Sequence, residues 1–336
     1  MNIPGEQVSI HILPAGCLRL TGLCRWSDTV RDVLFSLILI GVPMVADAAD
    51  DKPLDFEFIR TPPGQMVMLD SHRLHAHCRG EGEVTVLFEP GLGGSSLEWI
   101  PLQTSLQQHA RVCLYDRAGY AWSDPSPYPR NARQLAREAD QLLNILNLRG
   151  PLVLVGHSFG GFVVRMLAET RRDDMVGMVL VDASHEEQVA RFEQLGGPSV
   201  LPKSGKSFVL SSVEVPENLP EDIRNKIRAL GRMRKTYAAT HNELSEFRVS
   251  ARQVRQGRRV FDFPVIVLRR GQDPYADDNI GRQKAAIWTE LQEDLTRIST
   301  AGELVDASNS GHHIHVDEPL LVTNTIQALI DHHESQ

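Results

Sequence analysis

The chain has 336 residues, of which 42% are hydrophobic and 23% charged, a composition typical of a globular protein with a large core. A net charge of −8 and the lack of any long basic run in the sequence argue against nucleic acid as a partner. The length fits one large α/β domain with an insertion, or two domains.

The first 48 residues are predicted to be a leader. Residues 33–46 form an apolar run of about 14 residues, which is too short for a comfortable membrane span but has the length of a signal-peptide core. Ala46-Asp47-Ala48 has the small-x-small form of a cleavage site. We therefore expect export, to the periplasm or the exterior, after cleavage near Ala48, and no stable membrane span in the mature chain. A buried helix is the alternative. Because the leader is long for a signal, one explanation is that translation begins near Val30 and that residues 1–29 are an artefact.

Short apolar runs bounded by turn residues predict six strands before residue 183. These runs are 65–69, 73–78, 84–88, 112–115, 152–155 and 178–181. Asp70-Ser71-His72 joins the first two runs as a hairpin, which makes those strands antiparallel. Asn131 and Gln134 resemble a capping box, and the apolar stripe that follows predicts a helix packed on the core.

The pattern changes after the sixth strand and later returns. Residues 183–262 are broken by prolines and include a long charged, helix-prone stretch, so they are predicted to form a helical lid insertion. Residues 264–268 and 303–306 predict the seventh and eighth strands, and Pro319 begins a final helix. The core is then expected to comprise residues 49–182 and 263–336. Strands that alternate with helices predict an α/β fold whose sheet is mostly parallel, with helices on both faces.

The fifth strand leads into Gly156-His157-Ser158-Phe159-Gly160, which fits the G-x-S-x-G pattern, and a helical stripe follows directly. Strand, sharp turn and helix are the context in which this pattern presents a serine nucleophile. Gly156 and Gly160 lack Cβ atoms and let the strand and helix approach closely. The backbone N–H of Phe159 lies at the helix start, where donors are unsatisfied. A purely structural turn is the alternative.

Further polar or glycine-rich positions follow other predicted strands. The loop 89–96 lacks the Lys-Ser/Thr of a phosphate-binding loop, so we expect it to present the backbone N–H of Leu92 as an oxyanion donor. Asp182, Asp273 and His312 follow the sixth, seventh and eighth strands. Because sites in such sheets lie beyond the carboxyl ends of the strands, these positions and Ser158 are expected to converge.

Histidine clusters raise the question of a metal. His75 and His77 share one face of the second strand, and a solvated face is the preferred interpretation. His312, His313 and His315 form a second cluster that contains no cysteine, and loop histidines that bind no metal are the preferred interpretation there. No metal and no cofactor is expected.

Over roughly residues 65–332 the chain resembles the α/β-hydrolase fold superfamily, and within it the secreted serine-hydrolase group of esterases and lipases. The resemblance rests on the segments 89–94, 115–120, 156–161, 181–185 and 311–312 with 317–319. It implies an eight-stranded sheet, with Ser158 as nucleophile, His312 as general base and Leu92 and Phe159 as oxyanion donors. His313 and His315 are the competitors for the base, but they fall after the Gly-His motif.

Two residues compete for the acid of the implied triad. Asp273 stands after the seventh strand, the commoner position in the superfamily, in a Gly-x-Asp-Pro segment. Its spacing from the preceding glycine is one residue shorter than usual, and the segment from Asp273 to His312 is longer than usual. We favour Asp182, after the sixth strand. A carboxylate within about 3.2 Å of His312 Nδ1 would decide between them.

The resemblance implies a carboxylesterase-like serine hydrolase (EC 3.1.1) for small to medium esters. Dehalogenases and most epoxide hydrolases of this fold use Asp as nucleophile, because a serine attacking an alkyl carbon would leave an ether that water does not readily cleave. An acyltransferase, an amidase or peptidase with the same triad, and a non-catalytic small-ligand-binding protein are the alternatives. The resemblance also places the second and fourth strands side by side, which brings together Cys78 and Cys113. Because an exported protein meets an oxidising environment, we expect these two residues to form a disulfide. Two buried thiols are the alternative.

Overall fold

The computed structural model describes residues 57–196, 215–257 and 259–336. The predicted leader, with its cleavage site near Ala48, lies outside the described residues, and so do residues 197–214 of the predicted insertion. Within the described ranges, every helix is either too short or too polar to cross a membrane.

An eight-stranded sheet forms the centre of the fold, in the order β1-β2-β4-β3-β5-β6-β7-β8. The strands are β1 (Gln65–Met68), β2 (Arg73–Arg79), β3 (Thr85–Glu89), β4 (Arg111–Tyr115), β5 (Leu152–His157), β6 (Met175–Val181), β7 (Val265–Arg270) and β8 (Gly302–Ala307). β2 pairs antiparallel with β1 and with β4, and the remaining pairs are parallel. The predicted eight-stranded, mostly parallel sheet is confirmed.

Helices cover both faces of the sheet. The described helices are α1 (Glu57–Arg60), α2 (Ile100–Leu106), α3 (Ala132–Ile145), α4 (Gly160–Thr170), α5 (Gln188–Gln194), α6 (Glu221–Gly231), α7 (Arg234–Ser245), α8 (Phe247–Gln256), α9 (Asn279–Thr296), α10 (Ile314–Asp317) and α11 (Pro319–Glu334). On β5, Leu152 and Leu154 pack in the cluster that includes α3 and α4. Val153 and Val155 pack in the cluster that includes α2 and α11, as the two-residue period of a strand requires.

The stretch between β6 and β7 contains α5 to α8, and these helices contact the core directly. The clearest contact is at the start of α3. Asn131 caps this helix through its side chain, which accepts a hydrogen bond from the backbone N–H of Gln134 at 3.3 Å. Two side chains of α8 accept hydrogen bonds from the backbone N–H groups of the first two residues of α3. Ser250 Oγ accepts from Ala132 at 3.0 Å, and Gln253 Oε1 accepts from Arg133 at 3.0 Å.

A disulfide joins β2 to β4. Cys78 and Cys113 face each other in the antiparallel register, and their sulfurs are bonded at 2.03 Å. The pairing implied by the family topology is confirmed.

The solvated face predicted for the histidines of β2 is wrong for His75. Its side chain is fully buried against the ring of Trp122, with Nδ1 2.7 Å from Asp116 Oδ2. Burial lowers the pKa of His75. The hydrogen bond to Asp116, the charge of Asp116 and the hydrogen bond to the Pro63 carbonyl together raise it by more, so the pKa lies above its usual value. Strand alternation places His75 and His77 on one face of β2. It does not show that the loop after β4, which carries Asp116 and Trp122, covers His75 on that face.

Candidate active site

The nucleophile elbow is a tight connection between β5 and α4. Ser158 has a φ of +50°, a left-handed conformation that is uncommon and strained for a residue with a side chain. A Cβ added to Gly160 would lie 2.4 Å from the backbone oxygen of Glu89, and one added to Gly156 would lie 2.6 Å from Val164 Cγ2. Both glycines are therefore required by close packing. The Ser158 side chain itself is half-buried.

Asp182 and His312 are in direct contact. Asp182 follows β6 with a φ of +41° and is fully buried. Its Oδ2 lies 2.6 Å from His312 Nδ1, which is the geometry expected of an acid that orients the imidazole. Asp273 instead lies on the loop after β7 with 44% of its side chain exposed, and its Oδ1 is 3.8 Å from Arg270 Nε. Of the two candidate acids, Asp182 is the one that the fold brings to His312.

Two further side chains bind the Asp182 carboxylate. Arg270 Nη1 donates to Oδ2 at 2.6 Å, and Trp288 Nε1 donates to Oδ1 at 2.8 Å. The guanidinium carbon of Arg270 also lies 4.4 Å from the centre of the Trp288 ring. Burial raises the pKa of Asp182, but the hydrogen bond and charge of His312 and the charge of Arg270 lower it more, so the pKa lies below its usual value. The carboxylate is therefore ionised at neutral pH.

His312 is held on its backbone as well as on its ring. His157, the residue before Ser158, has Nε2 2.9 Å from the backbone oxygen of His312. Burial lowers the pKa of His157 well below its usual value, and the neighbouring imidazoles lower it further, so the ring is neutral and donates through Nε2. The side chain of His312 remains 36% exposed and is accessible from solvent.

The two competing histidines have other surroundings. His315 is buried, and its ring stacks on Trp99 with the centroids 4.1 Å apart. Burial lowers the pKa of His315 to about 3. His313 is half-buried, and its ring centroid lies 5.3 Å from that of His157. Within the part of the chain that the structure describes, no three His, Cys, Asp or Glu side chains come together in a way that could hold a metal ion.

The glycine-rich loop after β3 lies against the elbow. Gly91 to Gly94 form a β-turn, in which the N–H of Gly94 donates to the oxygen of Gly91 at 3.2 Å and Gly93 has a φ of +78°. Leu92 occupies the second position of this turn. A Cβ added to Gly91 would lie 2.7 Å from His157 Nδ1 and 3.3 Å from Ser158 Cβ, so the loop passes close to the elbow. Phe159 is buried at the first position before α4.

Sequence reasoning missed Arg270 and Trp288 as part of this site. In the sequence, Trp288 begins an apolar helical stripe with Leu291 and Leu295, a pattern that indicates a helix and not a hydrogen bond to Asp182. A signal for Arg270 existed, because alternation along β7 places residue 270 on the same side as the buried Leu268. A buried arginine at the carboxyl end of a parallel strand requires an acceptor nearby.

A family model described as "alpha/beta hydrolase fold" matches residues 84–222. The chain has the α/β-hydrolase fold. It is 29% identical over 246 residues to the uncharacterized protein YqjL of Bacillus subtilis (strain 168), a match that covers 73% of this chain and 83% of that protein.

Solved structures agree on this fold. The epoxide hydrolase CorEH has a TM-score of 0.59 and 17% identity, covering 80% of this chain and 98% of that one. A thermophilic esterase from Thermogutta terrifontis has a TM-score of 0.56 and 21% identity, with coverage of 80% and 98%. At these identities the likeness establishes the fold, and the neighbours' different substrates leave the chemistry to the residues of the site.

Proposed function

We propose that this α/β hydrolase cleaves carboxylic esters of small molecules through an acyl-enzyme on Ser158. The observation that carries the proposal is the contact of Asp182 with His312 Nδ1 at 2.6 Å, beside the elbow that bears Ser158. A carboxylate on Nδ1 fixes the tautomer in which Nε2 is free to accept a proton, and it stabilises the imidazolium that then forms.

The proposed reaction has two halves. His312 takes the proton of the Ser158 hydroxyl as Oγ attacks the ester carbonyl carbon. The tetrahedral oxyanion accepts hydrogen bonds from the backbone N–H groups of Leu92 and Phe159 and then collapses. The alcohol leaves with the proton from His312, and the acyl group stays on Oγ. Water, deprotonated by His312, attacks the ester so formed. His312 then returns the proton to Ser158 Oγ as the carboxylic acid is released, which restores free Ser158.

A serine at the elbow favours acyl transfer over the epoxide chemistry named for one structural neighbour. Attack by Ser158 Oγ on an epoxide carbon would form an alkyl ether, which lacks a carbonyl for water to attack. The acyl-enzyme, by contrast, presents the same carbonyl to water that the substrate presented to serine. Esters are therefore the substrate class that lets this nucleophile turn over.

Fluorophosphonate labelling tests the proposal directly. The folded wild-type protein should be labelled, and should hydrolyse p-nitrophenyl esters of short to medium acyl chains. Ser158→Ala should lose both properties. Ser184→Ala is the matched control, because this buried serine lies after β6 near the same site, and it should keep them. Labelling with turnover of amides and not esters would indicate an amidase or peptidase, and no labelling of folded protein would indicate a binding protein.

Export is part of the same proposal. It is supported by the apolar run that precedes Ala48 and by the Cys78–Cys113 disulfide, which is the kind of bond that forms in oxidising compartments. Amino-terminal sequencing of protein recovered outside the cytoplasm should place the first residue near Ala48. Intact precursor confined to the cytoplasm would contradict this.

A further inference from the structure

A buried guanidinium lies directly behind the loop that carries Leu92. Arg117, after β4, has 1% of its side chain exposed. Its Nε and Nη2 donate to the two carboxylate oxygens of Glu243 at 2.9 and 2.8 Å. Its Nη1 donates to Glu89 Oε1 at 2.8 Å and to the Pro90 oxygen at 2.6 Å. Its Nη2 also donates to the Gly91 oxygen at 2.8 Å. All five N–H groups of the guanidinium thus have an acceptor.

Two of these acceptors set the conformation of the loop. Pro90 and Gly91 immediately precede Leu92, and the oxygen of Gly91 also accepts the hydrogen bond that closes the turn, from Gly94. The guanidinium therefore fixes the first carbonyl of the turn from behind. The direction of the peptide plane between Gly91 and Leu92, which contains this carbonyl, also sets the direction of the Leu92 N–H.

Glu243 comes from α7, in the insertion, 126 residues further along the chain than Arg117. Its carboxylate is fully buried, makes a two-pronged contact with the guanidinium, and also accepts a hydrogen bond from the Tyr120 hydroxyl at 2.9 Å. On the other side, the Tyr115 hydroxyl donates to Glu89. Because every N–H group of the planar Arg117 guanidinium is hydrogen-bonded, the guanidinium has little freedom to rotate.

We propose that Arg117 and Glu243 are positioning residues for the oxyanion loop, so that α7 contributes to transition-state stabilisation. The inference rests on the proposed ester hydrolysis, in which Leu92 donates to the oxyanion. A donor of this kind is worth about 10²–10³ in rate when it is in place, and a displacement of about 1 Å removes much of that.

Glu243→Gln is the first test, because it keeps the shape of the side chain but places an amide NH₂ against guanidinium N–H groups. Per labelled active site, kcat for a p-nitrophenyl ester should fall about 10- to 100-fold while KM changes less than about threefold, since the donor acts mainly in the transition state. The affinity for a boronic acid, which forms a tetrahedral adduct on Ser158, should fall by a similar factor. Glu246→Gln is the matched control. Its carboxylate, one turn along the same part of the insertion, accepts from Asn131 instead, and it should stay within twofold of wild type.

Hydrogen exchange gives a readout that does not depend on activity. The peptide covering residues 89–97 should exchange its amide hydrogens faster in Glu243→Gln than in wild type or in Glu246→Gln. If Glu243→Gln does not fold, Tyr120→Phe, which removes one hydrogen bond to the same carboxylate, should show the same changes at about two- to fivefold. Unchanged exchange in this peptide overturns the inference, and so does unchanged kcat and boronate affinity in the folded variant. Absence of labelling in wild type, by contrast, contradicts the proposed hydrolysis, while the exchange experiment still decides whether the loop is held.

Discussion

Replacing Asp182 with Asn should lower stability and activity together. The carboxylate accepts hydrogen bonds on both oxygens: Oδ2 from His312 and the Arg270 guanidinium, and Oδ1 from Trp288 and the Arg270 backbone. An amide has one accepting oxygen, so its NH₂ must face donors whichever way it is turned. The substitution also leaves the buried Arg270 guanidinium without its closest negative charge.

The size of the stability change follows from that burial. Asp182 is fully buried, and 4% of the Arg270 side chain is exposed, so solvent screens the pair very little. Breaking such a pair from one side typically lowers stability by about 3–5 kcal/mol. We therefore expect the free energy of unfolding of Asp182→Asn to fall by about this amount in urea titrations of the mature protein.

The activity change follows from the proposed role of the carboxylate. Without a carboxylate beside Nδ1, the imidazolium of His312 is less stable and the tautomer of the neutral ring is no longer fixed. In comparable triads this loss lowers kcat by about 10⁴-fold. The assay is kcat for a p-nitrophenyl ester at neutral pH, normalised to folded protein. Asp273→Asn is the matched control: that carboxylate is 44% exposed, and its Oδ1 lies 3.8 Å from Arg270 Nε. It should change stability by less than about 0.5 kcal/mol and kcat by less than about twofold.

A folded Asp182→Asn protein whose kcat stays within tenfold of wild type would refute this reasoning. So would a large loss of kcat in Asp273→Asn, because it would return the acid to the position after β7. A loss of stability in Asp182→Asn with no loss of kcat would show that the carboxylate is structural, and that the triad interpretation of its contact with His312 is wrong.

Three further predictions concern stability and the elbow. Burial holds the pKa of His157 well below its usual value and that of His315 at about 3, so the unfolded chain takes up a proton at each histidine before the folded chain does as pH falls through about 6.5. Urea titrations at pH 7, 5 and 4 should therefore show the free energy of unfolding decreasing by up to about 1.4 kcal/mol per pH unit for each histidine, and a flat profile would contradict this. Replacing both Cys78 and Cys113 with Ser opens a loop with a sequence separation of 35, which should lower stability by about 4 kcal/mol; two titratable thiols in the unfolded, unreduced mature protein, which lacks Cys17 and Cys24, would contradict the premise. Gly160→Ala places a Cβ 2.4 Å from a backbone oxygen at the end of β3, so fluorophosphonate labelling of Ser158 should slow by at least about tenfold, and an unchanged labelling rate would show that the elbow tolerates the shift.

Local patterns in the sequence were enough to predict the sheet and its elbow. Parallel strands buried on both faces appear as short, nearly continuous apolar runs, so β5 and β6 were located to within a few residues. The G-x-S-x-G pattern located Ser158 because the geometry it encodes is local: two glycines flank a turn that needs close approach.

The contacts around the site could not be predicted in the same way, because they join residues far apart in sequence. Position after a strand left both Asp182 and Asp273 open, since spacing does not determine which loop turns its carboxylate inward. The paired hydrogen bonds from Arg117 to Glu243 depend on where α7 packs, and the sequence pattern of the helix does not indicate that position. Likewise, strand alternation put His75 on a face but could not show which segment would cover that face.

The hydrogen bonds from α8 to the start of α3 have a consequence for how this fold can change. Grafting the helices between β6 and β7 from one relative to another is an obvious route to a new specificity. Here such a graft would remove Ser250 and Gln253, the acceptors for two backbone N–H groups of α3, and would leave Arg117 without one of its two carboxylates. Specificity in this protein is therefore expected to evolve by single substitutions within its own insertion, or by exchange of the insertion together with α3 and the segment that carries Arg117.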